Sequence, residues 1–257
     1  MSTTKGQAAA RPASLRAKRD AYPICLPHYA LHEEAVWQGE EWVRELRAGE
    51  TGLAGKCDGT RTLRALTEQA PGRARAAATA RYLAWWPRPI APAPPPLPER
   101  AETIVLAPHP DDAELSMGGW LAQQANPGSC LVVVCFGTLA HTINGSAFPD
   151  ATAVSHVRAD EASLASRMTG VPLEVLSYPE FSIRHGLTPA ALMPAREHHV
   201  GAALRRRLYA LLQAHQPARV FGPAAIGAHP DHRLLFEIML EFFDEDCLPD
   251  TRFDLYE

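Results

Sequence analysis

No apolar stretch in this chain approaches the roughly 20 residues that a membrane-spanning helix needs, and no hydrophobic signal core follows Met1. Positive charge is not in excess either: 25 Lys and Arg stand against 29 Asp and Glu, so no basic field draws the protein onto nucleic acid or anionic lipid. Cysteine is sparse and scattered. Cys25, Cys57, Cys130, Cys135 and Cys247 form no Cys-x-x-Cys, a pattern expected of small core hydrophobes whose thiols stay reduced in a cytoplasm. No internal repeat divides the chain. These absences describe a cytoplasmic protein with neither nucleic acid nor a membrane among its partners, and they leave its oligomeric state open.

What is present falls into four stretches. Residues 1–20 are rich in Ala, Ser, Arg and Lys, offer little to bury, and read as a disordered tail. Residues 21–86 read as a helical N-terminal appendage: Glu33–Arg47 puts Val36, Val43 and Leu46 on one face, and Thr60–Gln69 and Ala74–Trp86 flank Pro71-Gly72 as shorter helices. Residues 87–98, PRPIAPAPPPLP, cannot continue a helix or a central strand and form an extended linker. From residue 99 to 257 apolar strands alternate with amphipathic helices. Strands are predicted at Thr103–Leu106, Cys130–Phe136, Leu173–Ser177, Arg219–Phe221 and Phe253–Tyr256, and helices at Glu114–Gln124, Thr152–Thr169, His198–Ala214 and Asp231–Phe243. That alternation predicts an α/β domain with a mostly parallel sheet covered by helices on both faces.

Two clusters carry chemistry. Pro108-His109-Pro110-Asp111-Asp112-Ala113-Glu114 follows the first strand, and His229-Pro230-Asp231-His232 follows the fourth. In the common strand order 3-2-1-4-5 those strands are neighbours, and ligands bind at their carboxyl ends. Either cluster alone has a structural explanation, since Asp caps helix N-termini and His-x-x-His is a weak signal. Together, at the two strand ends that flank the switch point, they supply a metal site with spare acid-base groups.

The stretches PHPDDAELSMGG (Pro108–Gly119) and GPAAIGAHPDHR (Gly222–Arg233), with Arg158-Ala159-Asp160-Glu161 between them, resemble the signature regions of the PIG-L/LmbE-like family of metal-dependent N-deacetylases. The resemblance runs from Glu102 to Glu257 and leaves residues 1–100 aside. It implies a Rossmann-like sheet and a hydrolase that removes an N-acetyl group from an N-acetylglucosaminyl or related glycoconjugate, using Zn2+ or another divalent ion such as Fe2+. It implies that His109, Asp112 and His232 bind the metal, that Asp111 is the general base, that His229 assists the oxyanion or leaving group, and that Asp231 orients His229. The chemistry agrees: two imidazoles and a carboxylate leave an ion with open positions, and an adjacent carboxylate can take a proton from water. Arg158 either reaches substrate hydroxyls or phosphate or pairs with Glu161, and Gly118-Gly119 are expected to admit a close neighbour. Gly137-Thr138-Leu139 departs from the family's Thr-x-Gly-like loop, and the stop at Glu257 reads as a C-terminal truncation. Three alternatives stand beside this reading: an amidase for a larger acyl group on a thiol or glycolipid conjugate, an iron oxygenase with the same ligand set, and a non-catalytic carbohydrate-binding metal protein.

Overall fold

A computed structural model describes residues 22–25, 30–32, 35–38, 41–45, 57–59, 61–68, 83–86, 89–124, 126–139, 150–185, 199–226, 229–244 and 248–257. The expected tail, residues 1–20, lies outside them. The chain divides into two units at Ile90 and Ala91, with residues 38–41 grouped with the second.

In the first unit the helical expectation is corrected. β1 (Tyr22–Cys25), β2 (Ala30–His32), β3 (Ala35–Gln38), β4 (Glu41–Glu45) and β5 (Leu83–Trp86) are strands, and α1 (Leu63–Glu68) is the helix found within the expected Thr60–Gln69. β1 pairs antiparallel with β5, and β2-β3-β4 form a second sheet. The reason lies in residue type: Val36, Trp37, Trp42, Val43, Trp85 and Trp86 are β-branched or aromatic, and such side chains fit a pleated surface better than a helix. The described part of the proline-rich segment, residues 89–98, holds neither helix nor strand. Arg167 Nε donates to Ala91 O at 2.6 Å.

The second unit follows the expected winding. Its elements are β6 (Thr103–Ala107), α2 (Asp112–Leu121), β7 (Cys130–Val134), α3 (Ala151–Thr169), β8 (Leu173–Val175), α4 (Phe181–His185), α5 (His199–His215), β9 (Arg219–Pro223), α6 (Pro230–Asp244) and β10 (Arg252–Tyr256). The sheet order is β10-β9-β6-β7-β8, every pair parallel. Side chains alternate across it. Ile104, Leu106, Leu131 and Val133 pack with Leu204, Leu208 and Leu212 of α5 and Leu235, Ile238 and Phe242 of α6. Val105, Ala107, Val132 and Val134 pack with Ala113, Met117 and Leu121 of α2. A strand buried on both faces has no polar side to show, which is why β6 and β7 read as continuous apolar runs. Asp150 caps α3 by accepting from Ala153 N at 2.8 Å, and Gly170 ends it in the left-handed conformation at φ 76°. No described helix is long and apolar enough to cross a membrane.

Candidate metal centre

β6 and β9 are adjacent, with Val105 opposite Phe221, so their carboxyl ends deliver the two sequence clusters to one place. The capping explanation for the first cluster fails at Asp111, which stands at the N-cap of α2 without a side-chain capping bond. Asp112 instead turns back: its Oδ2 accepts from His109 N at 2.8 Å and lies 3.2 Å from both His109 Nδ1 and His232 Nε2. Ligand atoms held about 2.1 Å from one ion stand roughly 3.0–3.4 Å apart, so these spacings fit a shared divalent cation. The ring nitrogens of His109, His229 and His232 also come within 4.8 Å of one another. His229 is therefore within reach of the ion as well as near the open side of the site.

The electrostatics match. Burial opposes a charged His109, but Asp112 on Nδ1 and Asp231 on Nε2 outweigh it and raise the imidazole from 6.5 to about 9. Burial likewise pushes Asp112 upward, and its contacts with His109 and His232 hold it well below the usual carboxylate range. The cluster thus has a proton where a metal ion would bond, between an imidazole nitrogen and a carboxylate. His229 accepts from Asp231 N at 3.3 Å through Nδ1, which leaves its proton on Nε2. Burial first, then the neighbouring His109 and His232 charges, hold His229 below its ordinary value.

The expected link from the Asp231 carboxylate to His229 is corrected. Asp231 is fully buried, and its Oδ2 accepts from His109 Nε2 at 3.1 Å and Phe181 N at 2.9 Å, while Oδ1 accepts from Arg184 Nη2 at 2.7 Å. At the first turn of α6 a free backbone N–H faces His229, and the carboxylate is directed inward toward His109 and the start of α4. Asp231 therefore orients His109. This is the carboxylate–imidazole pairing that fixes a metal-binding histidine's tautomer.

Asp111 is half-exposed, with 43% of its side chain open, and it pairs with Arg158 Nη2 at 2.5 Å. Arg158 Nη1 also meets Glu161 at 2.6 Å, so the expected Glu161 pair is present and Asp111 is added to it. Burial works against the charge on Arg158, but Asp111 and Glu161 raise it above its ordinary value. Glu114 is pushed upward by burial and by Asp111 and Asp112. A Cβ at Gly118 or Gly119 would meet nothing within 4 Å, so the expected close neighbour is absent among the described residues. Close approach occurs at Gly137 instead, where a Cβ would lie 2.5 Å from Val175 Cγ1 and 3.2 Å from Ser177 Cα. Thr138 Oγ1 donates to Ser177 O at 2.9 Å, which ties that loop to the end of β8.

Sequence reasoning missed α4. Phe181 and Arg184 both bond Asp231, and Glu180, buried beside α4, accepts from Ser182 Oγ. It also missed Tyr256, whose hydroxyl donates to Leu106 O at 2.9 Å and is raised chiefly by burial.

A family model described as PIG-L, GlcNAc-PI de-N-acetylase, matches residues 104–243. The chain is 28% identical over 144 residues to the 2'-N-acetylparomamine deacetylase of Streptomyces fradiae, covering 53% of this chain and 50% of that protein. It is also similar to the N,N'-diacetylchitobiose deacetylase of Pyrococcus horikoshii, at 24% identity and a TM-score of 0.44, over 61% of this chain and 60% of that one. A deacetylase of the teicoplanin biosynthesis pathway matches at 25% identity and a TM-score of 0.49, over 59% of this chain and 64% of that one. The chain spans about half the length of the curated relative it matches. Since the family model covers more than half of the chain and contains all of the cluster around His109, Asp112 and His232, this protein belongs to the PIG-L, or GlcNAc-PI de-N-acetylase, family.

Proposed function

We propose that this protein hydrolyses the N-acetyl group, or a related N-acyl group, of an amino sugar or amino-sugar conjugate, with zinc or another divalent ion as cofactor. The observation that carries the reading is the Asp112 carboxylate oxygen set 3.2 Å from both His109 Nδ1 and His232 Nε2, with a half-exposed acid, Asp111, preceding it in the chain. Those three would hold the ion, with His229 close by. When bound, such an ion supplies Lewis acidity for the acyl carbonyl and lowers the pKa of water to about 7.

The chain's own groups then divide the work. Asp111 accepts a proton from the attacking water, whose oxygen bonds the acyl carbon. As the C–N bond breaks, the same carboxyl group returns that proton to the leaving amine. Arg158 fixes the direction of the Asp111 carboxylate through their ion pair. From the pocket side His229 directs its Nε2–H at the carbonyl oxygen as negative charge develops there. Its lowered pKa makes it a neutral donor at pH 7, which spares the site a further cation. Asp231 holds His109 so that Nδ1 faces Asp112. Residues 99–257 carry this chemistry, and the reduced cysteines fit a cytoplasmic setting.

The test is release of acid from a panel of amino sugars and their conjugates bearing acetyl or longer acyl groups, followed by direct detection of acetate and of the free amine. Acetate from the acetylated members supports the reading. Cleavage restricted to longer acyl chains replaces it with an amidase of different specificity, and no acid release from any member contradicts it.

A further inference from the structure

We propose that Arg184 is a positioning residue of the metal centre, acting through Asp231 to fix the tautomer and direction of His109. The inference rests on the reading that His109, Asp112 and His232 bind a divalent ion. In that state His109 is neutral, with Nδ1 toward the ion and Nε2–H toward Asp231. Asp231, fully buried, then needs a cation elsewhere to remain an anion, and among the described residues Arg184 is the cationic side chain other than His109 bonded to its carboxylate. The two carboxylate oxygens divide accordingly. Oδ1 takes Arg184 Nη2 at 2.7 Å, and Oδ2 takes His109 Nε2 and Phe181 N.

Arg184 is itself tightly held. Nη1 donates to Pro179 O at 2.6 Å, and the guanidinium carbon lies 5.1 Å from the Phe136 ring centroid and 5.9 Å from that of Phe181. Only 5% of the side chain is exposed. Its Nε is buried without a hydrogen-bond partner among the described residues, a feature that opposes stability and that an apolar side chain would not bring. What an apolar side chain could not do is compensate Asp231. A lysine could supply the charge but not the two-armed contact to Asp231 and Pro179 at once.

The experiment is a calorimetric titration of the full-length, metal-free protein with Co2+, with circular dichroism of each variant as the folding check. Arg184→Met should weaken Co2+ binding measurably, by no more than the roughly 10- to 100-fold that loss of a direct partner of a metal ligand, here Asp231, brings. Arg184→Lys should fall between it and the wild type. On an Asp231→Asn background Arg184→Met should bring little further loss, because the relay is already cut. A merely structural arginine would lose the same factor on both backgrounds, and that result overturns the proposal, as does unchanged affinity in Arg184→Met. If Arg184→Met does not fold, the same comparison is made with Arg184→Lys on the two backgrounds, and the same outcomes decide. A wild type that binds no Co2+ or Zn2+ overturns the metal reading itself, a result distinct from a wild type that binds while the variants match it.

Discussion

Replacing Asp231 with Asn changes one atom of a fully buried carboxylate and should disturb stability and metal binding together. The native oxygens accept three N–H groups, from His109 at 3.1 Å, Phe181 at 2.9 Å and Arg184 at 2.7 Å. An amide offers one acceptor oxygen. If that oxygen serves Phe181 and His109, the NH2 faces the Arg184 guanidinium, donor against donor. If it serves Arg184, the NH2 faces Phe181 N–H and His109, and the imidazole can accept only by moving its proton to Nδ1, the atom that faces Asp112. Either way Arg184 becomes a buried cation without its counter-charge, and breaking a buried pair by removing one partner costs about 3–5 kcal/mol. Denaturant unfolding of the metal-free protein should show a loss of that order, and removing Arg184 as well should recover part of it. Co2+ affinity should fall on the order of 10- to 100-fold. An Asp231→Asn protein with wild-type unfolding midpoint and wild-type Co2+ affinity would mean that the carboxylate neither compensates Arg184 nor holds His109.

Three further outcomes follow from the site. Asp111→Asn should retain its metal and lose turnover on the order of 10²- to 10⁴-fold, since an amide cannot take the water's proton; metal analysis beside kcat checks it. His229→Leu should lose about 2.7–4 kcal/mol of transition-state stabilisation, seen in kcat, with its metal kept; equal loss of metal and activity would make His229 a ligand instead of an oxyanion donor. Cation binding should release about one proton at pH 7, because the ion displaces the proton that His109 holds up to about pH 9. The sign runs both ways: the charged His109 stabilises the metal-free fold in full below pH 6.5 and stops doing so as pH rises through about 9, whereas cation affinity strengthens over that same window. Calorimetry in buffers of different ionisation enthalpy counts the proton.

The sheet was legible because strands buried on both faces leave a mark that needs no context: β7 is Cys-Leu-Val-Val-Val, and nothing but a covered strand or a short buried helix accommodates it. The two clusters were legible for a related reason, since the first directly follows such a strand, the second follows another with five residues between, and strand order brings them together. The first unit misled because Val36 and Val43 satisfy a helical spacing while their β-branching, with Trp37 and Trp42 beside them, favours strands. Asp231 was assigned to its neighbour His229, since sequence proximity is visible and a partner 122 residues away is not. Arg184 left no signal at all. It sits in a five-residue helix too short for periodicity, and 47 residues separate it from the carboxylate it holds.

We propose that a divalent ion on His109, Asp112 and His232 serves a hydrolysis for which Asp111 moves the proton. The most direct measurement is acetate release from an N-acetylated amino sugar by protein stripped with a chelator, then restored with measured equivalents of Zn2+ or Co2+, in parallel with Asp112→Ala. Release should vanish after stripping and recover to saturation near one ion per chain, and Asp112→Ala should not recover at the same ion concentration. Undiminished release from the stripped protein, or full recovery in Asp112→Ala, would contradict the proposal.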